Sequence, residues 1–221
     1  MDAGPLRAPG SAPGERNGAM LGYCLAVVRR LALPALATGM VLAAAMTAVL
    51  VLGDGTPWGE AAPPALGAGA AVAVTFTAVL TVTTAVGAAR TARRYGLALG
   101  PAAVRLPSVR EVRVPAIEGR TAFQLTDGVR HMVEKDPVLR VDEVTAFGHG
   151  ILDLTLRGPS DTTVLVRVRV TTGPQETTAV VEARPEASYK KLDTAACWAL
   201  ARVVEERVAR SLRAETGDAA R

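Results

Sequence analysis

Two uncharged apolar runs, Leu31 to Leu52 and Ala65 to Ala89, constrain this chain more than anything else in it. Neither contains Asp, Glu, Lys, Arg or His. Each is roughly 20 residues or longer, enough to cross a bilayer as a helix. The stretch between them, Gly53 to Pro64, is too short for a domain and rich in turn formers: Gly53, Asp54, Gly55, Pro57, Gly59, Pro63 and Pro64. The pattern predicts a helical hairpin through a membrane. Buried helices of a soluble domain rarely reach this length without one charge. A cleaved signal is also disfavoured, because its apolar part spans only roughly 7–15 residues and a second span follows here.

Around the hairpin the chain divides simply. Residues 1–19 are rich in Pro, Gly and Ala with scattered charge, and are expected to be disordered. Met20 to Val28 is apolar, and either lies at the interface or extends the first span. Residues 90–120 are basic and broken by Pro101, Pro107 and Pro115, as in a juxtamembrane linker. Residues 121–214 are long enough for one small domain, with a short tail at 215–221.

Charge sets the expected orientation. Arg7, Arg16, Arg29 and Arg30 precede the first span, and Arg90, Arg93 and Arg94 follow the second. The loop between them has Asp54 and Glu60 and no Lys or Arg. An excess of basic residues marks the cytoplasmic side, so both termini are expected there, with Trp58 an aromatic anchor at the outer interface. Arg29, Arg30, Arg90, Arg93 and Arg94 are the candidate membrane-surface residues. The net charge of +4 comes almost wholly from Arg, since Lys occurs only at Lys135, Lys190 and Lys191. With heavy Ala, Val and Gly usage, this is the composition of a high-GC bacterial genome, so Arg richness is weak evidence for nucleic acid. Cys24 and Cys197 have no metal or redox spacing, and in the cytoplasm both are expected as thiols.

The spans carry a small-residue stripe. Ala35, Gly39, Ala43 and Thr47 recur every four residues in the first, and Gly69, Ala73 and Thr77 continue the pattern in the second. Small residues at this spacing let helix backbones approach closely. Packing of the two helices on each other is the preferred use, and a homo-oligomer seam is the alternative. Pro34 falls near the start of the first span, where proline is tolerated. The Thr residues of the second span, Thr75 to Thr84, are expected to bond backbone carbonyls one turn back rather than line a pore.

In the soluble part, Thr121 to Asp136 predicts a helix with Ala122, Leu125, Val129, Met132 and Val133 on one face. Strands are predicted over Leu139–Phe147, Ile151–Arg157, Thr162–Thr172 and Thr177–Arg184, with Val109 to Ile117 a further weak edge strand held at the edge by Pro115. The turns are short, so the strands should pair as an antiparallel meander. Ser188 to Arg213 predicts a long helix striped by Leu200, Val204, Val208 and Leu212. The expected fold is a two-helix transmembrane hairpin plus a small cytoplasmic α+β domain of helix, antiparallel strands and long C-terminal helix.

Chemical motifs are sparse. His131 and His149 have no ligand-spaced neighbours, and Asp142, Glu143 and Asp153 do not read as a catalytic pair. No phosphate loop, nucleophile elbow or Cys-x-x-Cys occurs. Tyr189, Lys190 and Lys191 form a polar helix-start cluster. The pattern predicts no enzyme, cofactor or metal site. Arg157, Arg167 and Arg169 share the predicted open sheet face, with Asp153 and Glu182 as cross-strand partners. Without stacking aromatics the face does not suit nucleic acid. If it binds anything, an acidic protein surface fits.

The layout from Leu31 to Ala89, followed by the helix-then-strands run from Gly119 through Val170, resembles the alkaline shock response membrane-anchor family of Gram-positive bacteria. That resemblance implies tethering of a cytoplasmic envelope-stress protein to the membrane. The long C-terminal helix departs from the family, and no functional residue carries over. The expected function is an integral membrane anchor or scaffold, with the bilayer and a cytoplasmic protein as partners. The alternative is an accessory subunit of a membrane transport or secretion complex.

Overall fold

The computed structural model describes residues 13–186 and 194–219. Residues 1–12 and the helix-start cluster Tyr189, Lys190 and Lys191 lie outside the described residues. The architecture is a long antiparallel helix pair followed by an α+β domain.

Helix α1 runs Pro13–Gly53 and helix α2 runs Trp58–Arg94. α1 therefore begins inside the stretch expected to be disordered and carries Met20 to Val28 as continuous helix. Pro34 consequently lies in the helix interior rather than near its start. A proline there removes one backbone bond, and the good helix formers on both sides carry the helix through it. The connection is tight: Leu50 O accepts from the backbone N–H groups of Asp54 and Thr56, at 3.3 and 3.1 Å.

The end of α2 is set by Gly96, whose φ of +66° suits glycine. Its N–H donates to Arg93 O (3.2 Å), and the N–H of Leu97 donates to Ala92 O (2.8 Å). This is a Schellman cap, which satisfies the last carbonyls and turns the chain back. The returning segment forms a 3-10 turn at Pro101–Val104 against α1.

The domain is a five-stranded antiparallel sheet, β1 (Ser108–Pro115), β2 (Val141–Gly148), β3 (Ile151–Arg157), β4 (Thr163–Thr172) and β5 (Glu176–Pro185). Its order is β1-β5-β4-β3-β2. Helices α3 (Ala122–Glu134) and α4 (Ala196–Ala219) cover one face. The stretch read as linker thus holds the end of α2, the 3-10 turn and β1. β1 is an edge strand, with Pro115 at its end opposite Glu176. The other edge, β2, is bulged twice, between Val141 and Glu143 and between Val144 and Ala146. Proline and bulges both discourage pairing with a further strand. α4 begins at Ala196 and runs through the stretch read as tail to Ala219.

Strict alternation builds the core. Leu152, Leu154 and Leu156 of β3, Val164, Val166, Val168 and Val170 of β4 and Ala179, Val181 and Ala183 of β5 point the same way and are buried. α4 seats Leu200, Val204, Val208 and Leu212 on them, and α3 adds Leu125, Val129 and Val133. α3 is fixed at its start by a reciprocal capping box between Thr121 and Gln124. Past its end, Asp136 accepts from the N–H of Val138 (2.8 Å) and pairs with Arg207 of α4. That pair ties the two helices together beneath the solvent layer, with the side chains only 5 % and 10 % exposed.

Candidate functional site

Two long apolar helices with mean hydropathies of 2.3 and 2.0 leave most of their apolar length uncovered: only 22 % of each apolar stretch is buried within the molecule. Leu33, Met40, Val41, Leu52, Val74 and Val82 are among the exposed side chains. The chain's own described residues therefore leave most of this apolar surface uncovered.

The small residues meet. A Cβ on Gly39 would stand 2.7 Å from Gly69 O, and one on Gly69 would stand 2.4 Å from Gly39 O. Ala35, Ala43, Thr47 and Ala73 are buried in the same seam, and Thr77 is half-buried beside it. The stripe continues downward through Leu31, Val27 and Tyr23, all buried. These larger members were missed as seam residues, although the spacing of four from Tyr23 to Thr47 is legible in the sequence. The hydroxyls of Thr77, Thr83 and Thr84 donate to carbonyls one turn back, at 2.6–2.9 Å.

That register divides the five arginines into two tiers. Counting outward from Gly39 and Gly69 at a rise of ~1.5 Å per residue, Arg29 and Arg30 stand level with Val79 and Ala78. Arg90 stands level with Gly18. The nearest members of the two groups, Arg29 and Arg90, are thus roughly 17 Å apart along the hairpin axis. Above the first tier both helices are bare. Below it the pair becomes a stalk that the domain grips.

The grip is a second apolar cluster. Tyr23, Val27 and Leu31 of α1 and Ala85, Ala88 and Ala92 of α2 pack with Ala103 and Val104 of the 3-10 turn and with Ala195, Trp198 and Ala199 at the start of α4. Gly87 makes room for Thr194, since a Cβ there would come within 2.9 Å of the Thr194 Cβ. Tyr95 joins this cluster to the domain core. Burial raises the pKa of its phenol against the lowering by Arg94 and Arg140. Arg30 closes the grip, with Nη1 donating to Val104 O at 2.6 Å. The contact of Trp198 and Thr194 with the hairpin had no sequence signal, because it joins residues separated by the entire domain.

On the open sheet face the three arginines are not equivalent. Arg167 makes two 2.7 Å bonds to the Asp153 carboxylate, and Arg157 Nε donates to Asp142 at 3.0 Å. Arg169 is exposed without a carboxylate partner among the described residues. Arg167 lies directly across from Asp153 on one side and Glu182 on the other. Exposed pairs of this kind contribute little. Arg167→Ala is expected to lower stability by less than about 1 kcal/mol, measured by chemical denaturation. A larger loss would mean that the face is held by its ion pairs.

His131 is exposed on α3, its Nδ1 3.0 Å from the Asp127 carbonyl. His149 is exposed in the turn between β2 and β3. Among the described residues no group of three or more His, Cys, Asp or Glu is placed to hold a metal ion. Comparison with protein-family models, with curated proteins and with solved structures finds no match to the chain.

Proposed function

We propose that this protein is an integral membrane anchor or scaffold, held by its hairpin and presenting a cytoplasmic α+β domain to a protein partner. One observation carries the reading: helices bare toward their surroundings over most of their apolar length, joined through a packed stalk to a folded domain. Bare apolar helices of this length match a bilayer core of about 30 Å. A packed stalk holds the domain in one orientation beneath the membrane, which suits presentation of a surface. The excess of arginine at the stalk supports a reading with both termini in the cytoplasm and the Asp54 loop outside.

The open sheet face with Arg157, Arg167 and Arg169 is the proposed partner face. Arg169 offers the uncommitted charge toward an acidic surface. The part of the proposal that concerns an envelope-stress protein rests on the layout's resemblance to the alkaline shock response anchors.

The test is crosslinking and affinity capture in cells, comparing the full-length protein with a hairpin swap. The swap should replace residues 33–78 and keep the stalk, because Leu31, Ala85 and Ala88 pack with α4. Recovery of the same cytoplasmic protein with both forms is the expected result. Recovery of membrane proteins that vanish on swapping would instead support the accessory-subunit reading, with the bare helix faces as the functional surface.

A further inference from the structure

We propose that Arg30 of the upper arginine tier and Arg105 at the end of the 3-10 turn hold one anionic phospholipid, its phosphate between them at the top of the stalk. The proposal rests on the membrane reading above and adds a specific lipid site to it.

A cavity of about 400 Å³ opens between α1 and the 3-10 turn, lined by Ala26, Arg30, Pro101, Ala102, Val104 and Arg105. The two guanidinium groups come from different elements, and the fold sets the approach of one to the other. Arg30 spends one donor on Val104 O. A guanidinium has five N–H donors in a rigid fork, so most of its capacity remains. Arg105 is set by the end of the turn, its N–H donating to Ala102 O at 3.2 Å, and its side chain is exposed.

Among the described residues no carboxylate pairs with either guanidinium. No Asp or Glu occurs from Gly18 to Gly53 or from Ala61 to Arg110. Planar forked donors suit phosphate oxygens. The other lining side chains are small and apolar, which suits the glycerol and first methylenes of a lipid. The cavity also lies where bare apolar helix begins: Leu33, one turn above Arg30 on α1, is exposed. A lipid chain can therefore run from the cavity up the hairpin surface, a feature a free phosphate would not use. A choline headgroup would bring its own cation against two arginines, so phosphatidylglycerol is favoured over phosphatidylcholine.

The experiment uses the full-length protein, reconstituted in vesicles of equal phosphatidylglycerol and phosphatidylcholine, extracted in mild detergent and weighed intact by native mass spectrometry. Resistance to alkaline extraction from the vesicles is scored first; its loss would sink the membrane reading itself and the lipid site with it. With insertion intact, the expected result is one retained phosphatidylglycerol, at least fivefold over phosphatidylcholine. It should be lost in Arg105→Gln, kept in Arg93→Gln of the lower tier, and not displaced by millimolar inorganic phosphate. Equal retention of both lipids overturns the proposal while leaving the anchor intact. Equal loss in Arg93→Gln overturns it in favour of diffuse charge. Displacement by inorganic phosphate overturns it in favour of a soluble anion.

Discussion

Asp136→Ala is expected to destabilise the domain by about 3–5 kcal/mol, the usual cost of stranding one member of a buried ion pair. The Arg207 guanidinium would remain almost covered, with no carboxylate to balance it. The backbone N–H of Val138 would lose its acceptor as well. The measurement is unfolding of the full-length protein in detergent, followed by Trp198 fluorescence with Trp58 replaced by Phe. Trp198 is buried where the domain meets the stalk, whereas Trp58 is exposed at the start of α2. Replacing both partners with apolar residues, as in Asp136→Leu with Arg207→Met, should recover most of the loss, because no charge is then left buried. A single-variant loss under about 1 kcal/mol would mean that water reaches the pair.

The same pair sets a pH dependence. Burial raises the Asp136 carboxyl, but hydrogen bonds from Arg207 and from the N–H groups of Val138 and Leu139, with the Arg207 charge, outweigh it, and the net direction is down. A carboxyl depressed in the folded state stabilises fully above its unfolded pKa of about 4. That contribution fades as pH falls below about 4 and through the lower folded value. Stability should therefore be flat above about pH 5 and decline below it, and Asp136→Asn should flatten the decline. An unchanged acid limb in that variant would assign the decline to other carboxylates.

Gly69→Ala is expected to part the two helices of the hairpin. Even one methyl carbon there would stand 2.4 Å from a backbone oxygen that no side-chain motion can move. Overpacking of a tight seam costs roughly 1–3 kcal/mol, and this contact is backbone against backbone, so the upper end is expected. Gly67→Ala is the control on the same helix, since a Cβ there meets nothing within 4 Å. It should change stability by no more than about 1 kcal/mol, the difference in helix propensity. The readout is helix proximity, from the yield of a disulfide between cysteines placed at Ala35 and Ala73, together with resistance to unfolding by detergent. Equal behaviour of the two variants would show that the helices do not meet at Gly39 and Gly69.

Local pattern decided most of the element list. Uncharged length marked α1 and α2, because a bilayer or a packed core must take so much apolar surface. Alternation marked β3, β4 and β5, because side chains on a strand point to opposite faces in turn. Their short turns then forced neighbours to pair antiparallel. The spacing of four along α1 and α2 placed Gly39 and Gly69 on facing stripes without saying that they touch.

What crossed the sequence needed the tertiary structure. β1 pairs with β5 across most of the domain, and nothing local in either strand names the other. Arg30 reaches Val104 and Arg207 reaches Asp136 over separations of 74 and 71 residues. Trp198 and Thr194 meet α2 only because α4 crosses back to the stalk after the sheet is complete. The two arginine tiers also look alike as basic flanks in the sequence. Only the antiparallel register of α1 on α2 sets them at different heights, since the offset depends on which glycine faces which.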